Sequence, residues 1–142
     1  MSKKKKRPAK AGKSPVASTK PVKNAKPVIL PPQLQHHFNQ ALAHHKAGQL
    51  QEAANGYAQV LHHEPKHADS MHLLGLVFQA AGNLEQAREH IAAAIKLNPG
   101  VDVYHFNMGV ALQTADQLLE AITAYNNAVS LNPGYRQAYE NL

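Results

Sequence analysis

From residue 34 onward, small, apolar and polar residues recur in the same order every 34 positions. Prolines mark the period at Pro65, Pro99 and Pro133. Counting each proline as position 32 gives units 34–67, 68–101 and 102–135, with a fourth that begins at Arg136 and reaches Leu142. A period of roughly 20–50 residues marks stacked repeats, in which each unit is one supersecondary motif that cannot bury its own apolar face.

The aligned positions have physical reasons. Position 8 (Ala41, Gly75, Gly109), position 20 (Ala53, Ala87, Ala121) and position 27 (Val60, Ala94, Ala128) are small, which lets helices approach closely. Position 17 (Leu50, Leu84, Leu118) and position 28 (Leu61, Ile95, Val129) fill the seam, and position 24 (Tyr57, Ile91, Tyr125) supplies a larger knob. Position 15 is Gly48, Gly82 and Asp116, where a first helix ends and a left-handed residue is useful. Proline at position 32 ends each second helix, because the residue before it is pushed out of the helical region. The pattern predicts helices over 34–47, 51–63, 68–81, 85–97, 102–115 and 119–131, with a last one from Arg136. About three units are needed for a stable stack. The expectation is an all-α superhelix of three helix–turn–helix repeats plus a truncated fourth. Tyr139 and Leu142 then lack a following partner, so the chain reads as a fragment, or as a frame truncated relative to a longer relative.

Charge separates the first 33 residues from the rest. They carry ten Lys/Arg and no acid, whereas five bases against nine acids leave residues 34–142 at −4. Residues 1–27 contain no Leu, Ile or aromatic side chain. Such a segment cannot offset its ordering entropy by burial, so 1–33 is expected to be a disordered Lys/Pro-rich tail, stopped by Pro31-Pro32 before the first helix. A polycation of this kind suits nucleic acid, an anionic membrane surface or nuclear import, and equally a solubilising leader. Any nucleic-acid partner is assigned to the tail alone.

Several functions are excluded or left without candidates. The chain has no cysteine, which rules out disulfides and thiolate ligands or nucleophiles. No stretch approaches the roughly 18 apolar residues of a membrane span, and Val28-Ile29-Leu30 is too short for a secretory signal core. The reading is cytoplasmic, or nuclear in a eukaryote through Lys4-Lys5-Lys6-Arg7-Pro8. Seven of ten histidines fall in unit one, but only His63 and His67 have the i, i+4 separation of a helical metal pair, and Pro65 interrupts the helix between them. No metal, cofactor or catalytic residue is assigned. The crowded histidines of unit one are expected to make it sensitive to mild acid.

Over residues 34–142 the small, aromatic and proline positions resemble the tetratricopeptide repeat family. Departures cluster in unit one: His37 stands where the family prefers Trp, Gln40 where it prefers Leu, and His63 where the other units have Leu97 and Leu131. That unit is expected to be the least stable or to act as a cap. The resemblance implies a concave groove lined by the first helices, and hence a protein or peptide partner held there. Projected onto this chain, the groove contains Phe38, Leu42, Leu73, Leu76, Phe106 and Val110 as an apolar floor beyond what two-helix packing needs. Asn39 and Asn107, with Asn141 in the stub and Leu73 breaking the row, resemble the asparagine ladder of O-GlcNAc transferase repeats, whose amides hold a peptide backbone. The same asparagines also suit bonds within the solenoid. The carboxylate clamp of chaperone co-factors is not matched, since Phe38, Leu42, Leu73, Val103 and Asn107 occupy its places. The function read from this is a non-catalytic interaction scaffold. The alternatives are the substrate-recruiting part of a larger transferase, or an adaptor tethered to nucleic acid by its tail.

Overall fold

The computed structural model describes residues 28–142. Seven helices follow one another there: α1 Pro32–Lys46, α2 Leu50–His63, α3 Ala68–Ala80, α4 Leu84–Leu97, α5 Asp102–Thr114, α6 Leu118–Leu131 and α7 Arg136–Glu140. No strand occurs among the described residues. Short connections pair α1 with α2, α3 with α4 and α5 with α6, and the hairpins stack through α2 on α3, α4 on α5 and α6 on α7. The first helices α3 and α5 also touch each other directly, which places them on the inner wall. This is the expected repeat superhelix, three units with part of a fourth.

Close approach depends on one missing side chain per hairpin. A Cβ on Gly109 would lie 2.5 Å from Cε1 of Tyr125, and one on Gly75 would lie 2.8 Å from Cγ1 of Ile91. Unit one reverses the pairing. Ala41 holds position 8 and the gap is left opposite, at Gly56, where a Cβ would come within 2.6 Å of the Ala41 methyl. The knobs Tyr57, Ile91 and Tyr125 are fully buried in consequence.

Each first helix ends as its position-15 residue requires. Gly48 and Gly82 have φ of 77° and 85°, and Asp116 adopts the same left-handed conformation at 62°. The second helices begin at Leu50, Leu84 and Leu118, one residue earlier than the spacing predicts.

The N-terminal boundary departs further from expectation. Pro32 is the first residue of α1 rather than a stop before it, because a proline's missing N–H and fixed φ suit that position. Leu30 is buried with Leu34 and Val60, and Val28 and Phe38 pack against them. Residues 28–33 therefore belong to the folded body, where they cover the outer end of unit one. The expected disorder of residues 1–27 lies outside the described residues.

Unit one still bears the mark of its departures. His37 and Gln40 help line a cleft of about 260 Å³ with Ala41, His44, Glu52, Asn55, Gly56 and Gln59. Nδ1 of His37 is buried there without a partner. The other end of the stack leaves Tyr139 and Leu142 about half exposed.

Candidate functional site

The eight residues expected to line the groove lie on the first helices α1, α3 and α5, and their surroundings differ from an open apolar floor. Phe38 lies edge-on to His67 at 5.3 Å between ring centroids and 5.9 Å from Tyr57. Leu42 and Leu73 pack on the core of Ala41, Ala53, Tyr57, Leu74 and Val77. Phe106 stacks on Tyr135 at 5.0 Å, and with Val110 it packs against the core around Tyr125. These residues, and Leu76, are half-buried. Hairpin packing thus engages Phe38, Leu42, Leu73, Phe106 and Val110 instead of leaving them wholly free.

The asparagine row is likewise engaged. Asn39 is exposed and accepts from Nε2 of Gln35 at 3.1 Å. Nδ2 of Asn107 lies 2.9 Å from Nε2 of His72 in the preceding unit. Nδ2 of Asn141 donates to the Tyr125 hydroxyl at 3.2 Å. Bonds within the solenoid thus occupy one atom of each amide. The remaining polar atoms are the ones a ligand can use.

A polar network at the junction of units two and three was missed by sequence reasoning. The Tyr104 hydroxyl donates to Asp69, and the Tyr104 ring lies over that of His72 at 4.6 Å. Asp69 is exposed, while His72 and Tyr104 are buried. Burial, then the hydrogen bond to Asp69 and its charge, push the Tyr104 hydroxyl far above its ordinary range. Burial, against the opposing pull of Asp69 and with a smaller push from nearby His45, lowers His72 to about 4. Exposed Asp69 thus lies beside a His72 ring that burial holds neutral at neutral pH. The signal was available: Asp69–Tyr104 and His72–Asn107 are both 35 residues apart, one position offset between consecutive units.

The histidines resolve into structural roles. Nδ1 of His67 accepts from the backbone N–H of Ser70 at 3.2 Å, capping α3. Nδ1 of His45 meets the Tyr57 hydroxyl at 3.2 Å. Burial is the leading cause that lowers both His45 and His67. Burial thus disfavours the charged form at His45 and His67 in unit one and at His72 in unit two. Among the described residues, no group of three or more His, Asp or Glu side chains is arranged to hold a metal ion. Among those residues, too, no helix is long and apolar enough to cross a membrane.

The second helix of unit three carries one more feature. Leu118, Leu119 and Ile122 are exposed by 54%, 79% and 42%. One unit earlier, the last two of these positions are Glu85 and Arg88, joined by an ion pair at 2.7 Å.

Comparison with known proteins agrees with this geometry. Two family models, both described as Tetratricopeptide repeat, match residues 35–102 and 103–135. No curated protein gives a significant match. Among solved structures, the chain is similar to an O-GlcNAc transferase mutant from Thermobaculum terrenum, with a TM-score of 0.73 and 25% identity. That similarity covers 92% of this chain and 22% of the transferase, so the chain spans about a fifth of that protein's length. It is also similar to the first repeat domain of Spaghetti bound to an HSP90 peptide, with a TM-score of 0.74, 18% identity and coverage of 77% and 86%. The repeat domain of Sgt2 from Aspergillus fumigatus gives 0.75, 19%, 79% and 76% for the same measures. With the period, the helix pairs and the small-residue contacts already in place, these matches assign the fold and its lineage together: the chain belongs to the tetratricopeptide repeat family.

Proposed function

We propose that the chain is a non-catalytic scaffold that holds an extended peptide segment of a protein partner in its concave groove. The reading rests on half-buried Phe38, Leu42, Leu73, Leu76, Phe106 and Val110 along the first helices of three consecutive units, with Asn39 and Asn107 beside them in sequence. Outer edges of apolar side chains supply contact area, and partly engaged amides supply directional bonds to a peptide backbone. The Spaghetti repeat domain, similar in fold, is bound to a peptide. A terminal carboxylate is disfavoured as the ligand, because Phe38, Leu42, Leu73, Val103 and Asn107 put no cation at the clamp positions of chaperone co-factors.

A photo-crosslinker placed at exposed Asn39 tests the proposal. It is expected to capture the same protein that an unbiased affinity pull-down with the full chain recovers. Capture from Leu119 and none from Asn39 would move the contact to the outer face.

A second reading takes the chain as the substrate-recruiting portion of a larger transferase. The similarity to the Thermobaculum transferase favours it. The internal bonds of Asn107 and Asn141 weigh against a free asparagine ladder. Reading the gene beyond codon 142 for a catalytic frame decides between the two.

A further inference from the structure

We propose that His72 determines which hydrogen-bonding edge Asn107 turns toward the groove, so that protonating the ring inverts the polarity offered to a bound peptide. The inference rests on the groove being the binding site, and it assigns that site a specificity-determining residue outside the apolar wall.

The geometry is a contact between consecutive units. His72 sits on α3 and Asn107 on α5, with Nε2 and Nδ2 2.9 Å apart. A primary amide carries its carbonyl and its NH2 group at opposite corners of one plane, so whichever corner meets the ring, the other faces away. A neutral His72 with its proton on Nδ1 accepts from Nδ2–H of Asn107. That leaves Oδ1, a pure acceptor, for the half-exposed side of Asn107. A protonated His72 carries a hydrogen on Nε2 as well and can only donate. The amide must then make a half-turn, bringing Oδ1 to the ring and the NH2 group to the groove. An acceptor at this place selects a peptide N–H or a donor side chain, whereas the NH2 group selects a carbonyl or a carboxylate.

The ring has little freedom to escape this choice. His72 is 5% exposed, and the Tyr104 ring lies over it, anchored by its bond to Asp69. The titratable groups around it are Asp69 on its own helix, His45 on α1 and Tyr104 on α5. Asp69 favours the imidazolium, while burial and His45 oppose it, and burial wins. Tyr104 stays un-ionised throughout. The acceptor edge is therefore the one shown at neutral pH, and the donor edge belongs to acid conditions. One unit earlier the same two positions are Phe38 and Leu73, so the device is confined to the boundary of units two and three.

Nitrogen NMR on the full, ligand-free chain tests the proposal. At pH 7.5, His72 is expected to show a protonated Nδ1 and a bare Nε2. On titration toward pH 4, the side-chain amide signals of Asn107 are expected to shift with the same midpoint as His72. His72→Gln, whose amide can meet Asn107 at any pH, is expected to abolish that shift. A protonated Nε2 at pH 7.5, amide signals that stay flat while His72 titrates, or loss of the folded spectrum before His72 titrates would each overturn it. If His72→Gln does not fold, the wild-type titration alone decides. Because the chain is free of ligand, this test can fail while peptide capture succeeds, and the reverse.

Discussion

Tyr125 donates its hydroxyl to Oε1 of Gln113 at 2.7 Å, tying together the two helices of unit three. Unit one repeats the link with Tyr57 and His45, 3.2 Å apart. Unit two has Ile91 and Gln79 at the same positions, and Oε1 of Gln79 is buried with no partner. An unpaired buried acceptor costs about 1–3 kcal/mol. Gly75 faces Ile91 as Gly109 faces Tyr125, so an aromatic ring has a counterpart site. Ile91→Tyr is expected to stabilise the chain by about 1 kcal/mol, seen as a higher urea midpoint at unchanged slope. A lower midpoint would show that the ring overfills the hairpin.

Asp116 holds a left-handed conformation that a side chain makes unfavourable, at φ 62°. Asp116→Gly is expected to stabilise by about 0.5–1 kcal/mol, read by thermal unfolding. Gly109→Ala acts through contact instead of backbone strain, since its methyl would lie 2.5 Å from the Tyr125 ring. That change is expected to destabilise by about 1–3 kcal/mol. Gly48→Ala, with nothing within 4 Å of the added carbon, separates the two mechanisms, because only backbone strain remains.

Stability should fall in mild acid. His72 is lowered from 6.5 to about 4 in the folded chain by burial. Its contribution is complete above the unfolded value, shrinks as pH drops from 6.5 toward 4, and is gone below that, because the unfolded chain binds the proton first. The range corresponds to roughly 3 kcal/mol. His45 and His67 are lowered as well and act in the same direction. Urea midpoints taken between pH 7.5 and 4.5 are expected to decline, with a shallower decline in His72→Gln. A pH-independent midpoint would show that these rings are solvated.

The repeat was legible because it is written in residue size at fixed spacing. Gly75 beside Ile91, Asp116 at a helix end and proline at position 32 each have a local cause that a single sequence displays. The groove was less legible, because half-burial depends on contacts between units. Phe106 stacks on Tyr135, which lies 29 positions further along the chain. His72 has only its place on a first helix to mark it in sequence; its surroundings depend on Tyr104 and Asn107, one unit further on. Pro32 reads as a stop in sequence because a proline before a helix and one opening it look alike there. The burial of Leu30 under Leu34 and Val60 is what distinguishes them.

Peptide capture in the groove is the central claim, and titration calorimetry with a peptide selected by display on the full chain tests it most directly. The double variant Leu76→Ser/Asn107→Ala keeps the edge-on ring of Phe38 and the stacked ring of Phe106. It is expected to weaken binding at least tenfold, about 1.4 kcal/mol, with helicity unchanged by circular dichroism. Leu119→Ser/Ile122→Ser, on the second helix of unit three, is expected to leave the affinity unaltered. Unchanged affinity in the groove variant, with binding lost in the Leu119/Ile122 variant, would contradict the account.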